Sequence, residues 1–312
     1  MIIGCDIGGT KTAVVLGTAE GTIRWKHQFP TDPARGFLPV FEQLCSAIEL
    51  ARARAGEATA ISVSIGGPLE VMRGIIKSPP NLPGWDDIPL KDLLNARFRL
   101  PAFVEHDGNA GALAEFFFGA GRGCRNIIFL TMGTGFGAGI ILNGRLYRGT
   151  CDVAGEIGHV RIADDGPPCY GKAGSLEGYC SGTGIALLGE MMYPGRWTGG
   201  VSAIYTSWKE GDAAARDVFA RAAREFGRGL AMLVDLLNPQ KIILGGLGMR
   251  VADALVAPAV ETLRAEGLPQ AVGACQIVPA ALGESIGDYA AICAAIDQAG
   301  PGAGIVPTPQ AP

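Results

Sequence analysis

No stretch of this 312-residue chain approaches the roughly 20 consecutive apolar residues a membrane-spanning helix needs, although 48% of its residues are hydrophobic. A basic segment followed by an apolar core, the mark of a secretory signal, is missing from the N-terminus, so a cytoplasmic location is expected. Basic charge is not in excess either. Lys and Arg number 26 against 30 Asp and Glu, a net charge of −4, which argues against nucleic acid or an anionic membrane as the main partner. No two of the eight cysteines form Cys-x-x-Cys, and they are scattered along the chain, so they are expected to be reduced and mostly buried as small hydrophobes.

Glycine is what the chain has in quantity. Its 47 residues are about twice the usual share, and they gather in a few loops rather than in low-complexity tracts. That distribution fits backbone approaching a ligand closely in several places. The chain length fits about two domains of ordinary size. The first glycine loop follows Ile2-Ile3-Gly4-Cys5-Asp6-Ile7, and Lys11-Thr12-Ala13-Val14-Val15-Leu16 comes after it. A β-branched apolar run on both sides predicts a hairpin, not the strand-to-helix turn of a dinucleotide or Walker loop. Exposed N–H groups at such a tip form an anion nest, and Asp6 beside it would repel a bare phosphate unless a divalent cation bound as well. Taken alone, the segment is equally well a plain hairpin.

Residues 1–28 read as that hairpin and a third strand around Gly21–Phe29. A helix with one apolar face is predicted over Phe37–Ala55, a buried strand over Ala60–Ile65 ending in Gly66-Gly67-Pro68, and a proline-rich loop over Ser78–Trp85. A short helix at Pro89–Arg97 and a strand at Pro101–Glu105 lead into His106-Asp107-Gly108-Asn109 and an Ala-rich helix to Phe118. Strand Asn126–Thr131, turn Met132–Gly135 and strand Phe136–Leu142 repeat the first strand-glycine-strand unit, which suggests a duplicated α/β domain. A glycine-rich loop region, 149–184, precedes an amphipathic helix at Asp212–Leu237 that Asn238-Pro239 stops. Strand Lys241–Leu244 then ends in Gly245-Gly246, a last helix spans Ser285–Gln298, and residues 299–312 read as a disordered tail.

Asp107 stands at the end of a strand, where a carboxylate suits the task of deprotonating an attacking hydroxyl; it equally suits an N-cap of the helix that follows. Glu156-Ile157-Gly158-His159, with Glu177 downstream, offers acceptors for sugar hydroxyls, though an isolated Glu-x-x-His also fits a metal or a plain surface. Gly166-Pro167-Pro168-Cys169-Tyr170-Gly171-Lys172-Ala173 only imitates a Walker loop. It has Ala where the Mg²⁺-binding hydroxyl belongs, and no buried strand precedes it.

In order and spacing, Asp6 to Lys11, Glu105-His106-Asp107-Gly108-Asn109 with Glu115, Thr131-Met132-Gly133-Thr134-Gly135, Gly155 to His159 and Ile243 to Gly246 resemble the ROK family (repressor, open reading frame, kinase) over about residues 1–297. The resemblance implies a two-domain actin-like (ribonuclease H-like) ATPase fold with a nucleotide and sugar cleft between its duplicated α/β halves. The halves would be a small domain at 1–107, completed by helix 285–298, and a large one at 108–284. It implies ATP- and Mg²⁺-dependent phosphorylation of a hexose, with glucose the default because Glu156, His159 and Glu177 match glucokinase-like members. Fructose, mannose and N-acetylated amino sugars stay open, as does a catalytically idle sugar-binding protein. Asp107 corresponds to the catalytic base. Gly66, Gly67, Asn81, His106, Glu156, His159 and Glu177 correspond to the sugar site. Gly8, Gly9, Thr10 and Lys11 match the first phosphate loop, Thr134 and Gly135 the second, and Gly245 and Gly246 the adenosine site, with Asp6 organising Mg²⁺. Family members that repress transcription carry a helix-turn-helix before the first phosphate motif, and this chain reaches Asp6 at once. A homodimer is the family expectation.

Two departures stand out. The family has Asn where this chain has His106. Its zinc-binding cysteine positions hold Pro168, Tyr170 and Ser175, with Cys169 one residue out of register, so no structural zinc is expected.

Overall fold

The computed structural model describes residues 1–299, and contacts along the chain divide it into two compact units. The first comprises residues 1–123, residues 146–154 and the described residues from Glu284 on. The second comprises 124–145 and 155–283. From residue 300 on, the expected tail lies outside the described residues.

In the first unit the apolar opening forms β1 (Ile2–Ile7), and the hairpin returns as β2 (Lys11–Gly17) in antiparallel register, with Asp6 opposite Ala13. Side chains of a strand alternate between faces, and here both faces are covered. Ile3, Cys5 and Ile7 join a core with Val40, Leu44 and Ile48 of α1 (Phe37–Ala55). Ile2 packs instead with Ala291, Ile292 and Ile296 of the C-terminal helix, Ile286–Gln298. Gly4 shares that second face, and a Cβ there would lie 2.9 Å from the backbone of Ala291, so the helix lies directly on the strand. β3 (Ile23–Pro30) edges the sheet next to β2, and β4 (Ala60–Ile65), buried throughout, runs parallel to β1.

Three two-residue strands, β5 (Leu69–Glu70), β6 (Ile75–Ile76) and β7 (Ile88–Pro89), form a separate small sheet ahead of α2 (Leu90–Phe98). β8 (Ala102–His106) closes the main sheet parallel to β4, giving the order β3-β2-β1-β4-β8. It leads directly into α3 (Asp107–Phe118). The sequence reading puts a domain boundary at 107, whereas the division here falls after residue 123. The reason is packing: α3 lies against the C-terminal helix, with Phe118 and Tyr289 rings 5.6 Å apart.

The second unit repeats the plan. β9 (Ile127–Met132) and β10 (Phe136–Leu142) make the second hairpin, with β11 (Arg145–Leu146) at the edge. The region read as a glycine-rich loop over 149–184 contains α4 (Leu176–Cys180) and the start of α5 (Gly182–Met192). Ser175 and Ser181 cap them, each accepting the N–H three residues on, as this residue type does at helix starts. After α6 (Gly200–Lys209), α7 (Ala213–Leu237) begins on an Asp212 cap and ends at Asn238 in the left-handed conformation. β12 (Lys241–Leu244), α8 (Leu247–Arg250), α9 (Ala252–Glu266), α10 (Pro269–Ala274) and β13 (Gln276–Pro279) complete the unit. β12 is parallel to β9 and β13 to β12, so the order β11-β10-β9-β12-β13 reproduces that of the first sheet.

Among the described residues no helix is long and apolar enough to cross a membrane. No disulfide joins the cysteines: Cys5, Cys45, Cys180 and Cys293 are buried, and Cys151 is exposed.

Candidate active site

At the β1–β2 tip the Gly8 N–H donates to Lys11 O at 3.1 Å. Thr31 holds the turn from within: its hydroxyl donates to Gly8 O (2.6 Å), lies 2.8 Å from the buried Thr12 hydroxyl, and its N–H donates to Thr10 O (3.0 Å). Thr10 and Lys11 are left facing solvent. Gly9 is required by contact, because a Cβ would come within 2.8 Å of Asn81. The Asn81 loop is anchored in turn by Trp85, which is fully buried with its ring edge-on to Phe37 at 5.0 Å.

Asp6 sits just inside this tip. Burial, then the nearby Asp107 and Asp288 carboxylates, raise its pKa to about 7, against smaller opposing effects of Lys11 and a Ser64 hydrogen bond. Among the described residues no three His, Cys, Asp or Glu side chains converge as a complete metal cage. Magnesium needs no such cage, since one or two carboxylates with phosphate oxygens and waters commonly hold it. Asp6, near enough to Asp107 and Asp288 for their charge to raise its pKa, is a carboxylate whose charge such a cation would offset.

β8 runs straight into α3, which puts His106 at the N-cap and Asp107 at the first helical position. The cap reading therefore shifts by one residue: Asp107 is not the cap, and its Oδ1 accepts the adjacent Gly108 N–H at 2.7 Å. His106 Nδ1 lies 3.4 Å from the same oxygen. Desolvation pushes the Asp107 pKa up, while the hydrogen bond and charge of His106 and the Gly108 amide pull it down. The net is a carboxyl below its ordinary value. Because 58% of the side chain stays open to solvent, the hydrogen bonds carry the deciding weight. Gly66 and Gly67 end β4 beside this pair: a Cβ on Gly66 would be 3.8 Å from Asp107 Oδ2, and one on Gly67 would collide with the His106 ring.

Behind Asp107 lies a charged support that sequence reasoning missed. Glu105 is fully buried. Its Oε1 accepts the His106 N–H and the Asn109 amide, each at 3.0 Å. Its Oε2 accepts Arg148 Nε (2.9 Å) and Nη2 (2.6 Å) and the Gln298 amide (3.3 Å), and Arg148 reaches Asp297 at 2.5 Å. Glu105 belongs to a motif quoted from the sequence, but nothing local marks Arg148 or Asp297. Their only trace is charge in segments otherwise rich in glycine or alanine.

In the second unit Glu156 and His159 flank a single 3₁₀ turn, Ile157–His159. Gly155 and Gly158 lay that turn flat on β10: Cβ atoms there would strike the carbonyl oxygens of Ala138 and Phe136, and Ala138 N–H donates to Gly155 O at 2.8 Å. Glu177, in the first turn of α4, accepts the Phe136 N–H on Oε2 at 2.9 Å. The Tyr170 hydroxyl donates to the same oxygen at 2.5 Å, and the Tyr170 ring stacks on His159 with centroids 3.4 Å apart. Burial, then Glu177 and Glu156, push the Tyr170 phenol pKa up.

Thr134 and Gly135 are exposed at the second hairpin tip, where Gly133 N–H donates to Gly135 O at 2.9 Å. A Cβ on Gly135 would be 3.0 Å from Glu177 Oε2. Gly246 has φ +57 and presses on Met132 O, while a Cβ on Gly245 would be 2.7 Å from the Phe129 ring. Both glycines thus have a packing requirement in addition to any ligand.

The residues at the expected zinc positions do not fit that metal. Pro168 has no ligand atom, and the buried Ser175 hydroxyl accepts the Gly178 N–H as a cap at 3.3 Å. The Tyr170 hydroxyl is engaged by Glu177. Desolvation and Glu177 push the Cys169 thiol pKa up, the reverse of what a zinc thiolate needs. The Walker-like stretch forms a tight turn, Cys169 and Lys172 exchanging both backbone hydrogen bonds (2.9 and 3.1 Å), and so has no phosphate-loop geometry.

The ROK family model matches residues 2–297. A glucokinase of Halalkalibacterium halodurans is 33% identical over 305 residues, covering 91% of this chain and 92% of that protein. The crystal structure of a ROK hexokinase from Thermus thermophilus superposes with a TM-score of 0.82 at 32% identity, covering 94% of this chain and 97% of the other. A ROK family glucokinase from Streptomyces griseus, solved with glucose and AMPPNP, has a TM-score of 0.72 at 32% identity over 93% of this chain and 97% of its own.

Proposed function

The chain belongs to the ROK family, and from that membership we propose that it transfers a phosphoryl group from ATP to a hexose, with glucose the first acceptor to try. The observation that carries this reading is the Asp107 carboxylate at the β8–α3 junction: it is open to solvent, His106 Nδ1 lies 3.4 Å from its Oδ1, and the adjoining His106 N–H is held by the buried Glu105. Phosphoryl transfer passes through a loose transition state, so the base needs position more than basicity. Asp107 orients the acceptor hydroxyl and takes its proton as the oxygen attacks the γ-phosphorus in line, while the opposite bond to the β–γ bridging oxygen breaks and ADP leaves with its electron pair.

The remaining roles divide between the units. Glu156, His159 and Glu177 accept from and donate to sugar hydroxyls, with Gly66, Gly67 and Asn81 lining the sugar site of the first unit. His106, in place of the family's Asn, keeps a donor for a hydroxyl but changes its reach. In the first phosphate loop Gly8 closes the turn while Gly9, Thr10 and Lys11 meet phosphate through backbone amides and one ammonium; Thr134 and Gly135 offer backbone amides from the second hairpin. Gly245 and Gly246 admit the adenosine. Asp6 would hold Mg²⁺, which when bound would supply charge neutralisation at the phosphates.

The test is a coupled assay with Mg-ATP and a panel of glucose, fructose, mannose and N-acetylated amino sugars. Turnover with one of them, abolished in Asp107→Ala while ATP still binds, is expected. Full activity in that variant would overturn the assignment of the base, and no turnover with any sugar would leave an idle sugar-binding protein as the better reading.

A further inference from the structure

We propose that Tyr170 is a positioning residue for the sugar site, locking His159 and Glu177 into one arrangement without a metal ion; this rests on the kinase reading above. Tyr170 sits at the tip of a small built device. Cys169 and Lys172 close a two-residue hairpin, and its central residues, Tyr170 and Gly171, have φ of +53 and +71. Positive φ at both positions is the mark of a primed turn, where Asn-Gly or Gly-Gly is the easy choice. A tyrosine in the left-handed region is strained, and strain persists where the surroundings hold the residue in place.

What holds it is on both ends of the side chain. The ring lies on the His159 imidazole, 3.4 Å between centroids and 21° between planes. Its hydroxyl donates to Glu177 Oε2 at 2.5 Å, and the Phe136 N–H donates to that same oxygen at 2.9 Å. Two donors on one oxygen fix the carboxylate plane and turn Oε1 toward other partners. Stacking fixes the imidazole ring, which otherwise stands exposed on a single 3₁₀ turn. One side chain thereby immobilises two sugar-binding groups carried by different elements.

The loop beneath is ordered by the chain itself. Ile162 and Ala163 N–H groups both donate to Gly174 O (2.8 and 3.2 Å), and Gly174 sits so close to Ala163 O that no side chain fits there. A backbone-ordered loop tipped by an aromatic clamp does the work that cysteines and zinc do in the family this chain resembles.

The experiment compares Tyr170→Phe and Tyr170→Ala with the parent in two readouts. In the coupled assay Tyr170→Phe keeps the ring and loses the donor, so the KM for sugar should rise about ten-fold with the KM for ATP unchanged. Tyr170→Ala should raise the sugar KM further. A merely structural residue would move neither constant selectively. The chain has three histidines, so the His159 ring resonances can be assigned by comparison with His159→Asn. In the parent they should be displaced by the ring current of Tyr170; Tyr170→Phe should keep that displacement and Tyr170→Ala should lose it. An unchanged sugar KM in Tyr170→Phe, or His159 resonances unmoved in Tyr170→Ala, would overturn the proposal. A parent inactive on every sugar whose His159 displacement vanishes in Tyr170→Ala would refute the kinase reading yet uphold the clamp.

Discussion

The two units share one strand order, yet they hold their functional side chains by different physics. In the first, the Glu105-His106-Asp107 corner is braced by buried charge: Glu105 spreads its carboxylate over five donors from β8, α3, the 146–154 segment and the C-terminal helix. In the second, Glu156, His159 and Glu177 are placed by close backbone packing at glycines and by one aromatic ring. A proposed base must keep one direction, and a satisfied ionic network holding the backbone next to it provides that. Hydroxyl-binding groups need spacing more than charge control, which a flat turn on a strand supplies.

The largest contrast should come from Asp107→Asn, which keeps the shape and removes the proposed base. Turnover should fall by about 10²–10⁴-fold, while ATP affinity by calorimetry stays within about two-fold. Turnover near the parent's would deprive the first unit of its special status. Next, Arg148→Met leaves Glu105 buried without its cation and should cost about 3–5 kcal/mol in chemical denaturation. A loss no greater than that of an exposed arginine would mean the network is incidental.

In the second unit, Gly158→Ala forces a Cβ onto Phe136 O, with an expected cost of about 1–3 kcal/mol and a higher KM for sugar. The smallest effect concerns Asp6. Its native pKa of about 7 lies above the unfolded value of 3.8, so the native state binds more protons and stability falls as pH rises through that window. Between pH 6 and 8 the loss should be on the order of 1 kcal/mol in thermal unfolding with chelator present. A flat profile would show Asp6 already ionised.

Much of the fold was legible. Both hairpins, the helices at Phe37–Ala55 and before Asn238, and the strand ahead of Gly245 stand within a residue or two of where periodicity and stop signals put them. Those signals are local, written in β-branched runs, caps and helix stops. Strand β13 and the short helix α4 were not read, since a four-residue strand and a five-residue helix carry too little periodicity. Of the site, the glycine tips and the strand end before Asp107 were visible for the same local reason. The clamp was not, because Tyr170 reads only as a residue standing where a cysteine was expected.

By itself, then, the sequence determined the repeated strand-glycine-strand unit, through short-range patterns that fix which residues can be strand, turn or helix, and pointed to the candidate chemistry through its family resemblance. Only the tertiary structure decided that Arg148 and Asp297 stand behind Glu105, that Asp107 follows the cap instead of forming it, and that Tyr170 joins His159 to Glu177. Partnerships of that kind join residues distant in the chain or out on a turn. Hydrogen bonds and ring contacts depend on angstrom-scale placement, which no spacing rule encodes.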